Sequence, residues 1–216
     1  KIVYARANKA IYGTLKAALL FWQKLSGKLQ EWGFEANDYD SCTMNKIIDG
    51  KQATIVWHVD DLMISHENQL VIDDIIKDME EEYGKISPLT INRGLIHEYL
   101  GMTIDFSTPG KVKFTMMDYL EDIIATLPQE LQTKGNSTSP ATANLFTVNQ
   151  ECEKLKTKEA EVFHSYVAKL LFASKRARPD LQTAIAFLCT RVKSPDTDDW
   201  KKLVRVLGYL KNTLFL

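Results

Sequence analysis

Ile55-Val56-Trp57-His58-Val59-Asp60-Asp61-Leu62-Met63-Ile64-Ser65 decides how the rest of the chain is read. Two short apolar runs, rich in β-branched and aromatic residues, flank two adjacent carboxylates, and each run reads as a strand. Almost no residues are left between them, so the chain must turn tightly into a β-hairpin with Asp60 and Asp61 at its tip. The flanks are too apolar for a surface hairpin, so the acids sit on the rim of a buried sheet. Charge there is costly unless a cation neutralises it. Hard divalent ions such as Mg²⁺ take oxygen ligands and are often held by one or two carboxylates plus substrate phosphates. On chemistry alone a solvated Asp-Asp turn is the favoured reading.

Working outward, Asp49-Gly50 is a strong type I′ hairpin signal. It joins a strand over 42–48 to one over 52–59, and the chain returns over 62–65. The expected unit is a three-stranded antiparallel sheet with the acids on its rim. Upstream, Leu15, Ala18, Leu19, Trp22, Leu25, Leu29 and Trp32 recur at three and four. That spacing predicts an amphipathic helix, capped by Thr14 and stopped by Gly33. Downstream, residues 67–83 read as a helix with Leu70, Ile72, Ile75, Ile76, Met79 and Tyr83 on one face and Gly84 as its stop. Residues 97–106 read as one strand, turned by Pro109-Gly110 into a second over 111–115. A short helix is expected over 118–127, then a polar loop or linker over 128–150. Three helices follow: one from about Lys158, one opened by Pro179, and one over 198–212. Strands followed by helices make the fold class α+β, an antiparallel sheet with packed helices ahead of an all-helical part. The expected divisions are 1–34, 35–116 and 117–216.

Composition sets the outer limits. Among 216 residues, 45% are hydrophobic and 25% charged, the balance of an ordinary soluble globular protein. No apolar run approaches the ~20 residues of a membrane span. Cys42, Cys152 and Cys189 are odd in number and far apart, which suggests buried thiols in a reducing compartment. His58, His66, His97 and His164 show no metal-ligand spacing. No nucleophile elbow or Gly-rich phosphate loop occurs. Net charge is −1, but it is segregated. Residues 1–30 hold six basic and no acidic side chains, and residues 169–216 hold ten basic and four acidic. Segregated basic surface is what a phosphate backbone needs. The chain begins with Lys1, so a piece of a longer polyprotein is expected.

His-Val-Asp-Asp between two apolar strands resembles the Tyr-Val-Asp-Asp box of Ty1/copia-type retrotransposon reverse transcriptases. Three more stretches resemble that family in the right order: Ala10-Ile11-Tyr12-Gly13 with Trp22, Glu98-Tyr99-Leu100-Gly101-Met102, and Arg178-Pro179-Asp180. A lone Asp-Asp pair is weak, whereas four boxes in order are specific. The run Thr14-Leu15-Lys16-Ala17-Ala18-Leu19-Leu20-Phe21-Trp22 departs from the family's Leu-Lys-Gln-Ala-Pro-Arg before the tryptophan, which marks a divergent branch.

The resemblance implies a polymerase palm followed by a thumb-like helical part, and two-metal nucleotidyl transfer with Mg²⁺ or Mn²⁺. It makes Asp60 the main metal ligand and Asp61 its weaker partner. Tyr12, Gly13, Lys16 and His58 would then shape the nucleotide and template pocket, and Tyr99, Leu100, Gly101 and Met102 the primer grip. Lys175, Arg176, Arg178, Lys201, Lys202 and Arg205 could hold the duplex backbone, although Arg178 also reads as a purely structural partner of Asp180. Implied partners are an RNA or DNA template-primer duplex, deoxynucleoside triphosphates and an upstream polyprotein segment bearing another metal-binding aspartate. No membrane is implied, and the setting would be intracellular, a cytoplasmic virus-like particle or the nucleus. Lacking that aspartate, the chain is expected to be inactive alone. Two other readings stand beside this one: an element remnant that binds nucleic acid at most, and a carboxylate nuclease using Asp105 as a third acid.

Overall fold

Thr14 opens the first helix as the spacing predicts. Its hydroxyl accepts the Ala17 amide at 3.3 Å, and α1 then runs over Leu15–Glu31. At the far end Gly33 takes φ +83°. That lets its amide reach Gln30 O and the Phe34 amide reach Leu29 O, both at 2.9 Å. This is a Schellman stop, and Leu29 and Phe34 are both buried beside it. The computed structural model describes residues 10, 11, 13–85, 87–132 and 137–216. These form two compact units, Lys1–Asn92 and Arg93–Leu216. Tyr12 lies outside the described residues.

Among the described residues of the first unit the sheet has four strands in the order β1-β2-β3-β4, one more than expected. They are β1 (Glu35–Ala36), β2 (Thr43–Ile48), β3 (Lys51–His58) and β4 (Asp61–Ser65), all antiparallel. Asp49 and Gly50 take φ +52° and +76°, the I′ pattern. Helix α2 (Gln69–Tyr83) is capped by the Asn68 side chain, which accepts the Leu70 amide at 3.0 Å.

One face of the sheet is covered. Met44, Ala53, Ile55 and Trp57 bury against Leu25 and Leu29 of α1 and Val71, Ile75 and Met79 of α2. Cutting any one of these large side chains to Ala would cost about 2–5 kcal/mol. Two expectations shift by a fraction of a turn. The buried stripe of α2 starts at Val71, and Leu70 is exposed. The first turns of α1 stay outside the core: Leu15 is 92% exposed and Leu19 53%, and packing begins at Phe21 and Trp22. The other sheet face carries a polar ladder, in which Thr54 Oγ1 donates to Asn45 Oδ1 at 2.8 Å and Gln52 Nε2 donates to the same oxygen at 3.0 Å.

The second unit opens with a three-stranded antiparallel sheet: β5 (Ile96–Tyr99), β6 (Met102–Asp105) and β7 (Lys113–Thr115). The single strand expected over 97–106 is broken, because Tyr99 pairs with Met102 across a two-residue turn. Leu100 and Gly101 there take φ +53° and +76°. Alternation of side chains continues through the turn, so sequence periodicity hides it.

Helices α3 (Met117–Ala125), α4 (Thr157–Ser174), α5 (Gln182–Arg191) and α6 (Thr197–Asn212) bury one core around Leu120, Phe163, Leu170, Ile185, Leu203 and Leu207. The polar stretch after α3 is tied down. Leu131 and Leu145 enter that core, Ser139 Oγ accepts Arg205 Nη2 at 3.1 Å, and Thr147 O accepts Lys202 Nζ at 2.7 Å. No described helix is long and apolar enough to cross a membrane.

Candidate active site and nucleic-acid contacts

The register places the carboxylates. His58 pairs with Asp61, which leaves Val59-Asp60 as a two-residue turn. Trp57 and Leu62 are the next pair, and Trp57 points into the helix-covered core. Side chains alternate along a strand, so His58 and Asp61 leave by the open face of the sheet, side by side. Asp60 sits at the tip beside them.

Both carboxylates are exposed. Neither makes a hydrogen bond or ion pair with any described residue, so their oxygens are free for an outside ligand. Two adjacent carboxylates suit one side of a hard divalent cation, whose remaining ligands must come from elsewhere. Among the described residues no group of three His, Cys, Asp or Glu side chains is assembled for a metal.

The other acids weighed in the sequence are engaged. Asp40 accepts the Cys42 amide at 2.9 Å and Thr43 Oγ1 at 3.0 Å. Asp105 lies in the sheet of the second unit, where hydrogen bonds from Ser107 hold its carboxyl below the ordinary range.

Val59 carries the strain of this turn. Its φ is +55°, the left-handed region, which a β-branched residue rarely enters. Glycine would hold that position without penalty, whereas an L-residue costs about 1–2 kcal/mol. Val59→Gly should therefore stabilise the first unit by about 1 kcal/mol at most, once glycine's extra unfolded-state entropy is set against the relief, and so raise its urea midpoint. A lowered midpoint would show that the turn is not strained.

The remaining site residues fall as follows. Gly13 takes φ +83° just before the α1 cap, and Lys16 is exposed on the first turn of α1. Trp22 packs at the edge of the core and donates its indole N–H to Ser41 O at 3.1 Å. A cavity of about 270 Å³ in this unit is lined by Trp32, Phe34, Lys46, Asp74 and Asp78. Lys46 lies on the helix side of the sheet, by strand alternation, so the cavity is remote from the open face that carries Asp61.

In the second unit Tyr99, Leu100, Gly101 and Met102 form one hairpin tip, with Met102 packed on the core. Lys175 and Lys201 are exposed, and Arg176 is half-buried. Lys202 is spent on Thr147 O and on Asp198, 2.8 Å away, with only 10% of its side chain exposed. Arg205 bonds Ser139, and its Nε is buried without a partner.

Arg178 is 2% exposed and makes four hydrogen bonds. Two go to the Asp180 carboxylate at 2.9 and 2.7 Å, and two to Thr213 O and Oγ1 at 2.9 and 2.8 Å. Its guanidinium is turned wholly to protein, the structural role weighed for it in the sequence. Sequence reasoning missed the network of Arg191 with Asp196 and Asp199, at 3.1 Å each, which fixes the start of α6. It also missed Thr147 as a partner of Lys202 and Ser139 as a partner of Arg205, which lie too far away along the chain to leave a local signal.

Comparison with known proteins adds to this geometry. Residues 2–141 match the family described as reverse transcriptase (RNA-dependent DNA polymerase). The chain is 26% identical over 161 residues to an uncharacterized mitochondrial protein of Arabidopsis thaliana, covering 74% of this chain and 62% of that protein. It is 19% identical over 219 residues to the retrovirus-related Pol polyprotein of transposon TNT 1-94 from Nicotiana tabacum, covering 99% of this chain and 16% of the polyprotein. No solved structure matches. The match takes in all but the first residue of the unit that presents the Val59-Asp60 turn, and most of the chain. The chain belongs to the reverse transcriptase (RNA-dependent DNA polymerase) family.

Proposed function

We propose that the chain is the C-terminal part of the polymerase domain of a copia-type retrotransposon polyprotein, and that its chemistry is template-directed nucleotidyl transfer. The observation that carries this reading is the Val59-Asp60 turn, where two free carboxylates meet at the rim of a sheet whose helix-covered face is apolar. Asp60 presents oxygens at the tip for Mg²⁺ or Mn²⁺, and Asp61 adds a weaker second ligand from the open face. Ions held by Asp60 and Asp61 would supply acidification of the primer 3′-hydroxyl and charge stabilisation for the leaving pyrophosphate. His58, on the same face as Asp61, offers a flat polar edge to the incoming deoxynucleoside triphosphate. Gly13 and Lys16, with Tyr12, border the template and nucleotide. Tyr99, Leu100, Gly101 and Met102 hold the primer end of an RNA or DNA duplex, and exposed Lys175 and Lys201 face its phosphates. The setting is intracellular, in a virus-like particle or the nucleus.

Two adjacent carboxylates on one turn cannot supply both sides of a two-metal site. Strand β4 is the last in the sheet order, with only β3 beside it among the described residues. A free edge is a template for another strand. A strand from an upstream polyprotein segment, added there, would bring a third carboxylate towards Asp60. Purified 216-residue chain with Mg²⁺ should therefore extend no primer, whereas co-expression with that segment should restore extension and improve solubility. Template-directed extension by the chain alone would overturn the need for a third carboxylate from outside. No extension in either preparation would overturn the polymerase reading itself.

A further inference from the structure

Ser139 rests on an arginine that has no other acceptor among the described residues. Its Oγ donates to Ala141 O at 2.8 Å and accepts Arg205 Nη2 at 3.1 Å. Arg205 meets no carboxylate among those residues, and its Nε is buried without a partner. Nε and Nη2 share one edge of a planar guanidinium, the edge that takes two oxygens of a phosphate side by side. Here one donor meets a hydroxyl and the other meets nothing. Lys201 and Lys202 lie one turn back on α6, so the surroundings of that edge are basic. Lys202 is already held by Asp198, and Lys201 is exposed.

Pro140 follows Ser139 directly. A residue ahead of proline is kept out of helical backbone. Residues 137–141 make no backbone–backbone hydrogen bond among the described residues, so this piece of chain can lift away without breaking a helix or a sheet. An extended Ser-Pro dipeptide suits the cleft of a proline-directed protein kinase. Ser87-Pro88, Thr108-Pro109 and Ser194-Pro195 offer a similar dipeptide, so proline alone does not single out Ser139. Among the described hydrogen bonds, only the Ser139 hydroxyl of these four meets an arginine.

We propose that Ser139 is a phosphorylation site whose phosphate is gripped by Arg205, locking residues 139–147 onto α6. The phosphoryl donor is ATP, used by a proline-directed serine/threonine kinase. The Ser139 Oγ–P bond forms as the bond from the γ-phosphorus to the β–γ bridging oxygen breaks. The hydroxyl proton passes to a base of the kinase, and ADP leaves. Ala141 O loses its donor, but Ala141 is half-buried and water can reach it. In exchange, a group carrying up to about two negative charges meets Nη2 and the idle Nε.

The test uses the whole chain. Phosphoserine is installed at residue 139 by amber-codon suppression and, in a reference sample, at the exposed position of Ser87. Phosphorus NMR then follows each phosphate through a pH titration. Arg205 favours the dianion, so the phosphate at 139 should titrate about one pH unit below the ordinary value of about 6, and the one at 87 close to it. Arg205→Gln should restore the ordinary value at 139, and Arg205→Lys should keep only part of the lowering. Thermal melting of each variant confirms that it is folded. Thermolysin cleavage within 139–147 should slow about tenfold when 139 is phosphorylated. A mitogen-activated protein kinase with ATP should modify Ser139 in the wild-type chain, faster in Arg205→Gln and not in Pro140→Ala. A phosphate at 139 that titrates like the one at 87, or that ignores Arg205→Gln, would overturn the grip. Faster thermolysin cleavage would overturn the lock. No phosphate on Ser139 in either the wild-type chain or Arg205→Gln would overturn the site itself.

Discussion

Asp60→Asn should abolish primer extension by the chain complemented with its upstream segment, with a loss of about a thousandfold or more. That corresponds to roughly 4 kcal/mol of transition-state stabilisation, at 1.36 kcal/mol per factor of ten. The substitution is nearly isosteric and removes one unit of negative charge from a metal ligand. Asp60 is exposed and bonds no described residue, so the fold should not register the change. Stability should stay within about 0.5 kcal/mol of wild type, as for surface substitutions away from special features. Asp61→Asn should cost less, because that carboxylate stands one step back in the β3–β4 ladder. Steady-state incorporation of a labelled deoxynucleotide, read alongside a urea melt, separates the two effects. Extension at the wild-type rate in Asp60→Asn would sink the assignment of this turn as the metal site.

The second large effect is on stability. Arg178→Ala leaves the Asp180 carboxylate and two acceptors of Thr213 with no guanidinium, in a site where Arg178 is almost fully buried. Removing one partner of a buried pair typically costs about 3–5 kcal/mol, set against total stabilities of about 5–15 kcal/mol. Fluorescence of Trp200, the only tryptophan in the second unit, reports the unfolding. Arg178→Lys should recover only part, since a point charge cannot replace a fork.

The pair also carries an acid signature. Burial alone would raise the Asp180 carboxyl, but hydrogen bonding and charge from Arg178 outweigh it and hold the group below the ordinary carboxylate range. A depressed folded value means that the pair stabilises the native state at neutral pH. That contribution fades as the medium becomes acidic enough to protonate Asp180. Asp180→Asn should therefore flatten the acid limb of the stability curve, and an unchanged limb would show that other carboxylates govern it.

The parts of the fold that could be read in advance are those settled within a few residues. Thr14 and Gly33 bracket α1 because capping is local chemistry, and Asp49-Gly50 fixes its hairpin for the same reason. Asp60 and Asp61 were legible because a turn squeezed between apolar strands leaves them nowhere else to go. The Leu100-Gly101 turn was not, because leucine gives no warning of a positive φ and the pattern on either side runs on unbroken. The buried stripe of α2 moved from Leu70 to Val71 because both residues are apolar and only packing separates them. For the basic side chains, sequence gave the sign of the charge but not its employment. Arg178 and Asp180 are two residues apart and could be paired on paper, whereas the Thr213 contact could not.

The strap from Ser139 to Thr147 bears on the order in which the chain can fold during synthesis. Its anchors on α6, Arg205 and Lys202, lie 66 and 55 residues further along. A ribosome delivers the strap well before its docking surface, and Leu145 meets no α6 to bury against until that helix has emerged. The waiting segment carries Pro140 and no apolar run longer than Leu145-Phe146, which limits sticking to other nascent chains. The strap therefore closes only after α6 has left the ribosome. A protease present during translation would cut there first, and one added afterwards would find the same bonds protected.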